Sequence, residues 1–104
     1  MNLSKLDFYC LSWISDDYEN IQHIKDVLER HDSINALEED LLASLGKLVG
    51  EKLAQAYEYD QAKQEYIKVE PSRDKSSVQW FYITKAGADC LYENRRIHPE
   101  WSEG

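Results

Sequence analysis

The chain has 104 residues, 42% hydrophobic and 31% charged, with three Trp, seven Tyr and two Phe; this is one domain's worth of sequence with anchors for a single core, which excludes a wholly disordered chain. Twenty acidic against twelve basic side chains give a formal charge of −8, a field that repels nucleic acid and anionic membranes at long range. No apolar run approaches the ~20 residues needed to span a bilayer, and Met-Asn-Leu-Ser-Lys lacks the basic-then-apolar pattern of a signal peptide, so a cytoplasmic protein without membrane contact is expected.

Ser4 and Asp7 have the spacing of a helix cap and its reciprocal partner. Leu6, Tyr9, Cys10, Trp13 and Ile14 then recur at helical intervals. Ser15-Asp16-Asp17 interrupts this helix and is placed to cap the next, whose stripe is Tyr18, Ile21, Ile24, Val27 and Leu28. Arg30-His31 gives that helix a basic end, which suits its negative C-terminus. Asp32-Ser33 opens a third helix with Ile34, Leu37, Leu41, Leu45 and Leu48 as its buried stripe, and Gly50 suggests its stop.

Beyond Gly50 the period changes. Leu53, Gln55, Tyr57 and Tyr59 alternate with smaller or charged residues, as in a strand with one aromatic face. Tyr66–Val69 is a second extended segment, broken by Pro71, and Ser72 to Ser77 reads as a turn. Val78–Ile83 is the clearest strand. Thr84 caps a last helix through about Glu93, packed through Ala86, Cys90 and Leu91. Cys10 and Cys90 lie in apolar segments and are expected as reduced core thiols.

Three helices, two or three strands and a closing helix predict an α+β domain over residues 1–96, with a tail over 97–104. Its junctions carry a family resemblance. Leu45-Gly46-Lys47-Leu48-Val49-Gly50-Glu51-Lys52-Leu53 resembles the end of a recognition helix running into the first wing strand. Trp80-Phe81-Tyr82-Ile83-Thr84-Lys85-Ala86-Gly87 resembles an aromatic strand leading through Ile-Thr to a small residue and Gly. Together they resemble the winged helix-turn-helix superfamily, and within it small bacterial regulators. The resemblance implies a small antiparallel wing, a third helix that reads DNA, and pairing through terminal helices. One departure stands out: the family places Gly where Lys52 stands, so either the helix ends sooner or Lys52 takes a left-handed backbone costing about 1 kcal/mol.

With Leu41 at the centre of the buried stripe, Ala36, Glu39, Asp40, Ala43, Gly46 and Lys47 fall outward. A groove-reading helix presents polar or basic side chains, whereas carboxylates near phosphate oppose the electrostatic part of affinity. The acids are accounted for by a solvated face and a favourable helix dipole. A sharper reading takes Ala36, Ala43 and Gly46 as a low strip for a protein partner, with Glu39, Asp40 and Lys47 setting register. In the wing, Lys68, Arg73 and Lys75 are interleaved with Glu65, Glu70 and Asp74, the pattern of a soluble hairpin.

No motif points to catalysis. His23, His31 and His98 lack zinc-ligand spacing, the serines lack a nucleophile elbow, and the glycines form no phosphate-cradling loop. No cofactor or metal is implied. The expected function is a non-enzymatic regulatory or protein-interaction domain engaging a protein partner or a second copy of itself. A dimeric DNA-binding regulator and an acidic inhibitor or DNA mimic of the immunity-protein type are the alternatives. Trp101 is expected to cover an edge of the core.

Overall fold

In the computed structural model, which describes residues 3–75 and 78–101, Ser4 begins the first helix as its spacing predicts. Its hydroxyl accepts from the Asp7 amide at 3.0 Å, and the Asp7 carboxylate accepts from the Ser4 amide at 3.2 Å. Helix α1 is Lys5–Trp13, followed by a short strand β1, Glu19–Asn20, and helix α2, Ile21–His31. Helix α3 is Glu38–Gly50, strands β2, β3 and β4 are Ala54–Asp60, Glu65–Val69 and Gln79–Ile83, helix α4 is Lys85–Ile97, and Pro99–Trp101 forms a 3₁₀ turn. The predicted turn residues Ser76 and Ser77, and the tail beyond Trp101, lie outside the described residues.

The core is Phe8, Cys10 and Leu11 of α1 with Ile14 just after it, Ile24 and Leu28 of α2, and Leu41, Leu45 and Leu48 of α3, closed by Ala56 of β2 and Phe81 of β4. The sheet is wholly antiparallel with the order β1-β4-β2-β3. The hairpin β2–β3 stands at one edge and β4 returns into the middle, with buried Gln79 and Phe81 alternating with partly buried Trp80 and Tyr82. Alternation turns Ala54, Ala56 and Phe81 toward the helices, and Gln55, Tyr57, Tyr59, Tyr66, Trp80 and Tyr82 to the outer face.

Several local expectations are corrected. Asn20, rather than Asp16 or Asp17, caps α2, accepting from the His23 amide at 2.8 Å; Tyr18 therefore precedes the helix, and its ring lies on the sheet at 3.8 Å from Tyr66. Asp32-Ser33 ends α2 instead of opening α3. Asp32 is the C-cap and Ser33 takes φ 56°, so that the Ile34 amide reaches the Leu28 carbonyl at 2.9 Å. The Asp32 carboxylate accepts from the Trp13 indole at 2.7 Å, which removes it as a cap for a following helix.

Consequently α3 starts later, behind Leu37, whose side chain is exposed rather than in the buried stripe. The helix ends at Gly50 as expected, but that glycine does not make the terminating turn. Glu51 is the C-cap, and Lys52 takes the left-handed turn at φ 63°, with its amide on the Val49 carbonyl and the Leu53 amide on the Leu48 carbonyl. This is the reciprocal pair of bonds that normally recruits glycine. In α4 the buried positions are Gly87, Leu91 and Asn94, one face at i, i+4, i+7, while Ala86 is exposed.

Trp101 packs against Phe8 with ring centroids 5.2 Å apart, and its carbonyl accepts from the Tyr9 hydroxyl at 2.9 Å. The tail tryptophan thus covers an edge of the core, as expected.

Candidate functional site

Helix α3 presents Glu39, Asp40, Ala43 and Gly46 to solvent, as its periodicity predicts. Ala36 is not part of that strip: it lies in the loop before the helix, buried in the core. The displacement follows from the late start of α3, which leaves residues 32–37 to close the corner between α2 and α3. Because Leu37 makes no side-chain capping bond, Glu38, Glu39 and Asp40 in the first turn supply the negative charge that the helix N-terminus favours.

Lys47 is tied sideways to α1. Its ammonium donates to the Asp7 carboxylate at 2.7 Å, and the Ser44 hydroxyl donates to the other carboxylate oxygen at 2.6 Å. Burial pushes the Asp7 carboxyl up, but Lys47, Ser44 and Ser4 together outweigh it and hold the group below its ordinary value. The same contact raises Lys47. Beside this network burial pushes the Cys10 thiol up to about 12, which makes it a poor nucleophile. Sequence periodicity marked Lys47 as outward, yet a lysine stem on the margin of a helix reaches back over the neighbouring helix.

The wing cations are not gathered. Arg73 approaches α3, where it meets the Glu39 carboxylate at 3.8 Å. Lys68 pairs in register with Tyr57 and therefore projects on the outer face of the sheet. Lys75 is exposed in the turn whose Lys75 amide bonds the Ser72 carbonyl. The face of α3 is thus acidic in its first turn, small in its middle, and flanked by cations that already have carboxylate partners.

What brings the β3–β4 connection against α3 is a residue with no motif around it. Gln79 is buried at 1% exposure, donates to the Glu70 carbonyl and accepts from the Ser72 amide, both at 3.0 Å. It thereby supplies the loop with a substitute for backbone pairing. Pro71, Ser72 and Arg73 then line a cleft with Leu42, Gly46, Gln79 and Phe81. A glutamine inside an otherwise apolar strand was the available signal, since a buried amide requires partners.

Among the described residues no group of three His, Cys, Asp or Glu side chains is placed to hold a metal ion, and no helix is long and apolar enough to cross a membrane.

No family model and no curated protein matches the sequence. Solved structures do resemble the fold. A PadR-like transcriptional regulator from Bacillus cereus is 18% identical, covering 94% of this chain and 84% of that one, with a TM-score of 0.68. A PadR family transcription regulator from Clostridium difficile is 12% identical, covering 96% and 93%, with a TM-score of 0.70. At these identities the likeness concerns architecture. The chain has the winged-helix fold, with four α-helices and a four-stranded antiparallel sheet among the described residues.

Proposed function

We propose that the protein is a winged-helix transcriptional regulator that binds duplex DNA. The observation that carries this reading is the near end-to-end correspondence of its fold with two transcription regulators, over 94% and 96% of this chain. The main expectation from sequence, a protein-interaction domain, thus becomes the second reading. The accessible α3 face and the exposed hairpin are the elements such a scaffold presents to a groove.

The electrostatics define the manner of binding. Glu38, Glu39 and Asp40 stand in the first turn of α3, while Lys47 and Arg73 are engaged by Asp7 and Glu39. Few phosphates are neutralised, so base contacts and DNA shape carry a larger share of affinity than counterion release does. Fluorescence anisotropy with a pooled random-sequence duplex library at about 50 and 200 mM salt tests this. Binding with a salt slope of about −3 or shallower, equivalent to roughly three phosphates, is expected. Absence of binding at about 50 mM salt, both to the pool and to any sequence enriched from it by repeated selection, overturns the reading.

The second reading, a domain that engages protein or a second copy of itself, is favoured by one feature of the same face. Ala43 and Gly46 form a low strip on the exposed face of α3, and Leu37, just before the helix, is 61% accessible. Ala43→Arg separates the two. An added cation on this face strengthens DNA binding, whereas a bulky charge on a protein-docking strip abolishes association measured by analytical ultracentrifugation.

A further inference from the structure

The C-terminal ends of α1, α2 and α4 converge on one cleft. Its volume is about 560 Å³, and Trp13, His31 and Arg95, from the last turns of those helices, line it. Trp101 of the 3₁₀ turn adds a ring that packs on Phe8 at 5.2 Å and stacks on His98 at 3.8 Å. Phe8, Trp13 and Trp101 give the cleft apolar walls, and its size suits a small ligand.

Charge in the lining is divided rather than neutralised. Asp16 follows the end of α1, and Asp32 is the C-cap of α2. A carboxylate at a helix C-terminus faces the negative end of the dipole, so Asp32 is not placed there to stabilise its helix. One oxygen of Asp32 accepts from the Trp13 indole at 2.7 Å, which fixes the group and leaves its second oxygen for another donor. Burial, and after it the Asp32 charge, push the Tyr9 hydroxyl up, as expected where no cation offsets that carboxylate.

The opposite sign comes from α4. The Arg95 guanidinium donates to the Ser12 hydroxyl at 3.5 Å, a long and weak bond. None of Asp16, Asp32 and Arg95 has an ion-pair partner among the described residues. A cation and two carboxylates therefore border one space without meeting in it. A ligand of a single sign satisfies one side and is repelled by the other, whereas a zwitterion satisfies both. We propose that this cleft binds a free α-amino acid with an apolar side chain, its carboxylate on Arg95, its ammonium on Asp32 and Asp16, and its side chain against Trp13 and Trp101. The site uses neither the exposed face of α3 nor the β2–β3 hairpin, and so does not depend on the DNA-binding reading.

L-Leucine is the probe, titrated into the full chain at neutral pH and constant ionic strength, with NMR of the Trp13, Trp80 and Trp101 indole N–H signals as readout. Saturable shifts at Trp13 and Trp101, with a Kd on the order of 1 mM, are expected, while Trp80 on the outer face of the sheet stays unmoved. Isocaproic acid and isoamylamine, which each keep the apolar body and one of the two charges, should bind at least about fivefold more weakly. Arg95→Gln and Asp32→Asn should each weaken L-leucine about fivefold, the latter retaining an acceptor for the Trp13 indole. Arg96→Gln, next along α4 and paired with Glu93 at 3.6 Å, should leave binding unchanged. Shifts that fail to saturate or that reach Trp80 equally, equal binding of either single-charge analogue, or full affinity in folded Arg95→Gln and Asp32→Asn proteins would each overturn the proposal.

Discussion

The hydroxyl of Thr84 donates to the carbonyl of Lys52 at 2.7 Å across 32 positions of chain. The Thr84 amide donates to the Leu53 carbonyl at 3.0 Å, and the Thr84 oxygen also accepts from the Gly87 amide at 3.0 Å. The exit of α3 and the entry of α4 are therefore one joint. Both sequence junctions that resemble the winged-helix superfamily meet in it, and each supplies what the other lacks: orphan carbonyls from one, a capping side chain from the other.

Gly87 is indispensable at this joint because a Cβ there would stand 1.9 Å from the Leu53 carbonyl oxygen and 2.8 Å from Ile83. The obstacle is backbone and cannot rotate away. Gly87→Ala should destabilise the fold by about 3 kcal/mol or more. Urea denaturation gives the value. A loss below about 1 kcal/mol would mean that α4 shifts freely on the sheet.

Lys52 holds a left-handed conformation, at φ 63°, that a side chain disfavours. Lys52→Gly removes that strain, while glycine's greater freedom in the unfolded chain offsets part of the gain. A net stabilisation of about 0.5 to 1 kcal/mol is expected, read as a rise in Tm of a few degrees.

Asp7 joins the α1 cap, Ser44 and Lys47, and its pKa is lowered in the folded state. A group with a depressed folded pKa stabilises fully above its unfolded value and loses that contribution as pH falls through the folded one. The loss therefore begins as pH drops toward the ordinary value of 3.8 and completes below it. Asp7→Asn should flatten the acid limb of the stability–pH curve. At neutral pH it should cost about 2 kcal/mol through the weakened cap and network. An acid limb identical to that of the parent protein would show that other carboxylates govern it.

Gln79 binds the crossover loop at both Glu70 and Ser72. Gln79→Ala removes both bonds and opens a void, at an expected cost of about 2 to 3 kcal/mol. Amide exchange at Ser72 should accelerate well beyond the global change, because that amide loses its acceptor. Equal acceleration throughout the sheet would point to general destabilisation instead.

Periodicity made the elements legible where one face of a helix or strand is buried by its neighbours. The Leu41-Leu45-Leu48 stripe, the Ser4–Asp7 cap, the Gln79–Ile83 strand and the Thr84 cap all fall where local spacing puts them. These signals are local, and each is strong because capping and burial act within a few residues. Charge was equally legible in number, as −8, though not in arrangement.

Tertiary structure decided the rest. It overrode both expected caps, giving Asp32 to the Trp13 indole and Asn20, rather than Asp16 or Asp17, to α2. It placed Lys47 on Asp7 and Arg73 beside Glu39, which leaves the α3 face without cations of its own. It also drew Tyr18 onto Tyr66 across the sheet, building an aromatic surface from segments nearly fifty residues apart. Sequence determined which stretches could bury an apolar face. Which polar group meets which depends on crossing angles and strand order, and those emerge only when the elements pack.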